Sequence, residues 1–509
     1  MEPYESAAIA DPFARAVSFF TSLLTDFGGL DALRLPHQEV EEMAAAGGRE
    51  VARLLLQGHL DLRAEREERA LSALDAPGRA LLGRGRTRLE HGHQRELATV
   101  VGTVTVTRCA LRAAHLPNLY PADQVLALPR ERHSLGLRRL AVLEAVRGSY
   151  DGALDAVGRA CGKVVGKRQL EHLVQAAASD ITAFYATRTP APASASTLLV
   201  LSVDGKGIVM RPEHLREDTA RAAKRAQHVF RTRLSQGEKT NRKRMATLAC
   251  VYDTDPAPRR PHDVIAPPGG RTGNRRPRPG PRATHKWLTG SVDLDPEKVI
   301  AQAFDQATAR DPEHRRDWIV LVDGARHQLD LIQAEAERRD VTIHIVLDIV
   351  HVLEKLWTAA RCFHSPTDPD AENWVATHAA RLLAGASADT VTSLNAEADR
   401  HDLTGEQRTA VDKAVRYLAN NAAFLHYDQA LALGWPIGSG AIEGAARHLV
   451  ADRLAITGSR WSVPGAEALL QLRAIITNGD FTAYWRYHVH QEHTRLYPRP
   501  DQADYSLTA

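Results

Sequence analysis

The sequence predicts a mixed α/β fold: strands with covering helices, an all-α insertion, and a mostly α-helical N-terminal region. Three observations predict it. Across roughly the first 90 residues apolar side chains recur at three- and four-residue spacing, as in Ala14, Val17, Phe20, Leu23 and Leu24 and again in Val51, Leu54, Leu55, Leu60 and Leu62, the period of an amphipathic helix. From Leu198 to Asp348 short apolar runs alternate with helical patterns, the order that builds a sheet with parallel neighbours. From Ile349 onward, about 80 residues carry helical periodicity without a strand pattern between them.

Composition narrows the function classes. The 509 residues amount to roughly three domain lengths, and 44% apolar with 25% charged residues is a globular mix that excludes a disordered or fibrous chain. No run approaches the ~18–20 apolar residues of a membrane helix. The opening Met-Glu-Pro-Tyr-Glu-Ser is acidic with no apolar stretch behind it, so no secretory signal is expected. Cys109, Cys161, Cys250 and Cys362 lie far apart and form no C-x-x-C pair, which argues against a disulfide framework or a Cys-based zinc finger. A reduced protein of the cytoplasm, associated with the nucleoid, is expected. The net charge of +3 hides an asymmetry: between Lys206 and Lys286 there are 20 Lys or Arg against 7 Asp or Glu, leaving 45 basic and 55 acidic residues elsewhere. Such a concentration is the footprint of a polyanion-binding surface, or of a solvated basic loop.

Each element has a local reason. After the N-terminal helices, Val101, Thr103, Thr105 and Thr107 alternate with Gly102, Val104 and Val106, a β-branched strand pattern. Beyond a Pro-bearing loop at 116–121, helices resume near Leu135. Ser149-Tyr-Asp151 caps a short helix through Val157, a break falls at Cys161-Gly162, and a second helix runs from Lys167 through Phe184. This pair resembles a helix-turn-helix, with Lys167 and Arg168 as candidate DNA contacts, although helix-Gly-helix is common in any α-bundle. Residues 189–197 are small, polar and Pro-rich, which marks a linker. Leu198–Val203 then reads as a strand buried on both faces and ending at Asp204-Gly205. Met245–Tyr252 and Lys286–Thr289 are further strands, separated by the irregular Arg/Pro/Gly stretch 269–282. Asp295-Pro296 opens a helix to about Ala309. Trp318–Val322 is a strand ending at Asp323-Gly324, a helix spans Gln328–Arg338, and Val341–Leu347 is a strand ending at Asp348. The resulting organisation is 1–95 helical, 96–188 DNA-binding with a short hairpin, 189–197 linker, 198–357 core, 358–434 all-α insertion, 435–480 core again, and 481–509 tail. The core's basic loop is 206–286.

The chemistry rests on position. Asp204 and Asp323 each sit where an apolar strand gives way to Gly, and ligand sites in such sheets form outside the carboxyl ends of strands. If the strands are neighbours the carboxylates converge, and two converging aspartates repel unless a cation separates them. Mg²⁺ suits that donor set, and a third carboxylate completes a site for phosphoryl displacement. Glu443, after the Gly438-Ser-Gly440 turn and one helical turn before Arg447, is the candidate; Glu354, Glu372 and Glu467 compete with it. Each residue also has a plainer reading, the aspartates as turn formers or N-caps and Glu443 as a complement to a helix dipole.

The order strand-Asp204, strand-Asp323, Asp348-x-x-His351, all-α insertion, helix with Glu443 resembles the DDE transposases with an RNase H-like fold. The stretch Gly438-Ser-Gly-Ala-Ile-Glu443, Arg453 and Gly458-Ser-Arg-Trp461-Ser is similar to the C-terminal signature of bacterial insertion-sequence transposases, the ISKra group above all. Val101–Arg108, Leu126-x-Leu-Pro129 and Ser149-Tyr are also similar to that group, so the resemblance spans about residues 95–478. In this chain the loop His115–Pro121 lacks the cysteines that relatives often carry there. The resemblance implies a DNA strand-transfer enzyme using Mg²⁺ or Mn²⁺, with Asp204, Asp323 and Glu443 as catalytic metal ligands. His351 would face the scissile region or brace the site, or be a core histidine. Arg460 and Trp461 would pair with or stack on DNA, with Trp461 as core the alternative. The basic segment, with Lys206, Arg242, Lys243, Arg244, Arg275 and Arg276, would track phosphates, and Arg447 would touch a phosphate or neutralise Glu443. Terminal inverted repeats and target DNA would be the partners of a homodimer or larger assembly, away from membranes. A stand-alone RNase H-like nuclease or resolvase, and a domesticated DNA-binding protein, are the competing readings.

Overall fold

The structure is a computed structural model that describes residues 11–190, 193–226, 242–266, 276–365, 367–456 and 458–497. The chain forms two compact units, Met1–Phe184 with Thr482–Ala509, and Tyr185–Phe481.

The first unit is helical except for one hairpin. Helices Ala14–Gly28 and His37–Ala73 bear out the helical reading of the N-terminal region, but Val17, Phe20, Leu24 and Leu55 of the expected apolar faces are exposed. Strands β1 (Arg88–Thr99) and β2 (Gly102–Arg112) pair antiparallel, so the hairpin begins before residue 96 and the boundary expected there cuts through a strand. Alternation on β2 buries Val104 and Val106 against Leu60, Leu97 and Leu128, the half-buried pattern of a sheet with one core face. A bulge between Glu90 and His93 frees Cys109 from the ladder. Glu67, fully buried on the long helix, accepts that residue's N–H at 2.9 Å and the Ala122 N–H at 2.7 Å. One carboxylate thus satisfies two buried donors and joins helix, hairpin and loop.

Further along, Ser149 caps helix Tyr150–Cys161 by accepting from Gly152 N–H at 3.0 Å, and Gly162 ends it at φ +80°. The next helix, Lys167–Ala178, stops short of Phe184 because the chain breaks at Ser179-Asp180. The reason is Asp180, which is buried and takes both Arg495 nitrogens, at 2.7 and 2.8 Å, and His488 Nδ1 at 2.6 Å. These partners correct the expectation of a tail after residue 480. Phe481–Leu496 is a helix with Tyr484, Trp485 and His488 buried, and Tyr484 Oη donates to Ala177 O. Its abundant His and Arg disguise the 3.6-residue spacing of its aromatic face.

The second unit is built on a mixed five-stranded sheet, β3 (Leu198–Val209), β4 (Lys243–Thr254), β5 (Thr284–Ser291), β6 (Trp318–Val322) and β7 (His344–Leu347), in the order β5-β4-β3-β6-β7. Strands β3, β4 and β5 are antiparallel neighbours, whereas β3, β6 and β7 run parallel. Two expectations change. Strand β3 does not end at Asp204 but continues to Val209, because β4 pairs with it along its whole length. The segment 206–286 is likewise not one basic loop: it includes β4, whose Ala246 and Leu248–Tyr252 are buried, and helix Glu217–Ala226. β4 pairs its backbone within the sheet, and only Lys243 and Met245 near its start are exposed. The insertion is helical as expected, with Ile349–Phe363, Asp370–Leu383, Ser387–Arg400, Gly405–Asn420 and Tyr427–Ala432, and Ala359, Ala398, Val411 and Ala414 form a core within it. Among the described residues no helix is long and apolar enough to cross a membrane.

Burial pushes the Glu67 carboxyl up to about 7 against the pull of its two N–H donors. The folded chain therefore keeps a proton that the unfolded chain releases near 4.5, and stability contributed here falls as pH rises from about 4.5 to 7. Glu67→Ala leaves two buried N–H groups unpaired, so urea unfolding should show a loss of roughly 2–5 kcal/mol and a flatter pH dependence across that window.

Candidate functional site

Strand register brings the acidic residues together. Ser202 pairs with Leu321 across β3 and β6, and Val322 with Leu347 across β6 and β7. Continuing those registers aligns Asp204, Asp323 and Asp348 in one row at the point where parallel pairing stops. Neighbouring strands are about 4.8 Å apart, so the row holds three carboxyl-bearing residues on adjacent strands. The sequence places all three after apolar strand runs, with Asp348 also in the Asp-x-x-His motif with His351.

Their surroundings differ. Asp204 is half-buried and its Oδ1 accepts from Gly205 N–H at 2.7 Å. Burial raises its pKa, opposed by that N–H, and the charge of Asp323 raises it further while Lys206 and His351 lower it. Asp323 Oδ1 accepts from Ala325 N–H at 2.9 Å, and Tyr417 from the helical insertion donates to the Asp323 carbonyl at 2.8 Å. Gly324 turns the chain at φ +88°, and a Cβ there would meet Leu347 Cδ1 at 3.0 Å, which requires glycine.

Asp348 is fully buried and caps helix Ile349–Phe363 by accepting from Val350 N–H at 3.0 Å. Ser439 adds its N–H at 3.3 Å and its hydroxyl at 2.5 Å, and His351 Nδ1 lies 2.9 Å from Asp348 Oδ2. Ser439 Oγ is also 3.1 Å from Glu443 Oε1. A hydroxyl has one proton, so Ser439 donates to Asp348 or to Glu443 at any one time and links the two carboxylates. Burial raises the Glu443 pKa, the Ser439 contact lowers it, and the Asp348 charge raises it again. His351 is pulled down by burial, but the hydrogen bond and charge of Asp348, then Asp323 and Glu354, outweigh this and raise it.

Asp348, His351 and Glu443 place ligand atoms within 4.8 Å of one another, the one such cluster of three among the described residues. Asp204 and Asp323, expected with Glu443, fall outside this cluster of three. Glu443 is tied through Ser439 to the buried Asp348, and Asp204 and Asp323 stand beside this cluster in the strand row. Of the competing glutamates, Glu467 accepts from Val292 and Asp293 N–H at 2.8 and 3.2 Å, while Glu354 and Glu372 are exposed.

The candidate DNA contacts divide sharply. Trp461 is 6% exposed: its indole donates to Leu454 O at 2.8 Å, its backbone bridges to Met210, and Arg453 lies 4.9 Å over its ring. Its ring is held in the interior, which corrects its placement on a DNA surface. Arg447, at the start of a π-helical turn over Arg447–Ala451, lies 3.9 Å from Asp452. Lys167 is paired with Asp151 at 2.7 Å, and Arg244 with Asp293 at 3.5 Å. Arg168, Lys206, Arg242, Lys243, Arg276 and Arg460 are exposed, and Arg275 lies outside the described residues. Sequence reasoning missed Ser439 and Tyr417. The first was visible inside the Gly-Ser-Gly turn, whereas nothing in the helical insertion marked the second.

No protein-family model matches the chain, and no curated protein matches it in sequence.

Asp348→Asn removes the charge that holds the His351 proton. NMR titration, with the resonance assigned through His351→Gln, should show the His351 pKa falling. Ser439→Ala should destabilise the unit by roughly 1–3 kcal/mol in denaturant unfolding, since a buried carboxylate loses a donor.

Proposed function

We propose that this chain is a DDE-type DNA transposase with an RNase H-like core, cleaving DNA at insertion-sequence ends and joining the freed ends to target DNA. The observation that carries the reading is the row of Asp204, Asp323 and Asp348 at one register position of neighbouring strands, with Glu443 and His351 beside it. A mixed sheet, covering helices and a helical stretch between Asp348 and Glu443 support the RNase H-like assignment.

The donor chemistry fits a hard divalent cation. Burial first, and then the charge of Asp323, make Asp204 costlier to ionise, and a cation beside it removes that cost. Mg²⁺ or Mn²⁺ held by Asp204 and Asp323, with Glu443 as third ligand, would supply charge neutralisation at the phosphate and a lowered water pKa. The remaining groups position the reaction. Asp348 fixes the His351 ring through Nδ1, which leaves Nε2 to hold a proton or hydrogen-bond a phosphate oxygen. Ser439 holds Glu443 in place. In the first step water attacks the phosphodiester and the 3′-oxygen leaves. In the second that 3′-hydroxyl attacks a target phosphodiester, whose own 3′-oxygen leaves.

Exposed Lys206, Arg242 and Lys243 at the outer end of the β3–β4 ribbon, with Arg276 and Arg460, would follow the DNA backbone, and Arg168 would do so on the helix-turn-helix-like pair. Two DNA ends must be paired, so a homodimer or larger complex is expected on DNA.

The test supplies a pre-cut 3′-hydroxyl end, target DNA and Mg²⁺. Joining supports the transposase, cleavage without joining supports a stand-alone nuclease, and binding without either supports a domesticated DNA-binding protein. Asp204→Asn and Asp323→Asn should each lower joining by roughly 100-fold or more while DNA affinity persists. The joined Lys206→Gln and Lys243→Gln variant should instead weaken binding and flatten its salt dependence.

A further inference from the structure

The N-terminal unit contains a cavity of about 390 Å³ lined by Arg84, Arg86, Arg95, Arg108 and Arg130, with Asp123 the one carboxylate in its wall. Five guanidinium groups remain charged at any physiological pH, so the wall carries a large cationic excess. The way these groups are held keeps that excess. Arg86 donates to the Pro117 and Gly83 carbonyls at 2.8 and 3.0 Å, and Arg95 to those of Pro129 and Glu131 at 3.0 and 2.8 Å. Carbonyl acceptors fix a guanidinium without cancelling its charge; Arg95 additionally lies 3.9 Å from Asp123 Oδ2, so this one carboxylate is shared by Arg95 and Arg108. Arg108 is paired with Asp123 and lies 3.9 Å over the Tyr120 ring. Its buried Nε has no hydrogen-bond partner, and neither has Asp123 Oδ1. Arg84 is held at φ +52°, a conformation that costs a non-glycine residue.

Crowded arginines of this kind repel one another: burial lowers the Arg95 pKa, and although Asp123 raises it, Arg108 lowers it again. An anion in the cavity relieves both burial and repulsion. A phosphate monoester suits it better than a carboxylate, bringing nearly two negative charges and three acceptor oxygens to planar donor forks. The volume admits more than a phosphate, and Tyr120 and Tyr497 in the wall offer aromatic surface for a base.

We infer that this arginine-lined cavity binds the phosphate of a nucleotide, either the 5′-phosphorylated end of a DNA strand or a free mononucleotide. The first source rests on the strand-transfer reading; the phosphate chemistry does not.

Calorimetry on the full chain tests it with deoxyadenosine 5′-monophosphate against deoxyadenosine, and with a short single strand carrying or lacking a 5′-phosphate. Phosphate-dependent binding is expected, weakened roughly ten-fold or more by the joined Arg84→Gln and Arg130→Gln variant, with its thermal midpoint unchanged. Preference for the 5′-phosphorylated strand over the mononucleotide assigns the site to DNA ends, and the reverse preference assigns it to free nucleotide. Absence of phosphate-dependent binding, or binding indifferent to both substitutions, overturns the inference. Asp204→Asn should keep this binding while losing strand joining, so the two proposals can fail separately.

Discussion

Like charges brought side by side dominate the second unit. The parallel register of β3, β6 and β7 carries an aspartate to the same position on each strand, and register cannot slip by one residue without turning every side chain to the opposite face. The apolar runs before each aspartate are buried on both faces, so the core fixes that register and the carboxylates follow. Repulsion is then handled differently at each position. At Asp348 the protein surrounds a fully buried carboxylate with two N–H groups, a hydroxyl and an imidazole. At Asp204 and Asp323 it supplies only one local N–H each.

That difference separates a fully engaged carboxylate from two that are not. A carboxylate with four partners is spent on holding its neighbours: Asp348 caps a helix, orients His351 and anchors the Ser439 turn. Asp204 and Asp323 keep acceptor capacity and partial exposure, the condition for engaging something that arrives from outside. Glu443 lies between the two classes, bound to Ser439 through one oxygen and exposed at the other end of its residue.

Much of this was legible in the amino-acid order. An apolar run followed by Asp-Gly marks a strand end because Gly324 supplies a positive φ that other residues resist, and helix periods identified the insertion. What was hidden depended on partners distant in sequence. That β3 continues past Asp204 follows from β4, whose pairing no local pattern announces. The helix Phe481–Leu496 looked like a polar tail because Arg495 and His488 are charged or titratable residues neutralised by Asp180, some 300 positions away. Trp461 read equally well as a surface or a core residue until Leu454 O was seen to take its indole proton. The contact of Glu443 with Asp348 through Ser439 had no local signal either, since Asp348, Asp323 and Asp204 all follow an apolar strand run.

The first unit shows the complementary use of charge. Buried ionic groups are retained where partners are complete, as in Asp180 with Arg495 and His488. Its arginine cavity follows another rule, because several guanidinium groups are fixed by neutral carbonyls and one buried donor is left without a partner. Folding alone gives no reason to gather cations in this way, since apolar side chains of similar volume would fill the space without mutual repulsion. An anion such as the proposed nucleotide phosphate would relieve that repulsion, so stability forgone in the free protein would be returned as binding energy. Asp204 and Asp323 carry the same kind of imbalance with the sign reversed: fixed like charge maintained by a well-packed scaffold, for which the proposed divalent cation would be the counter-charge.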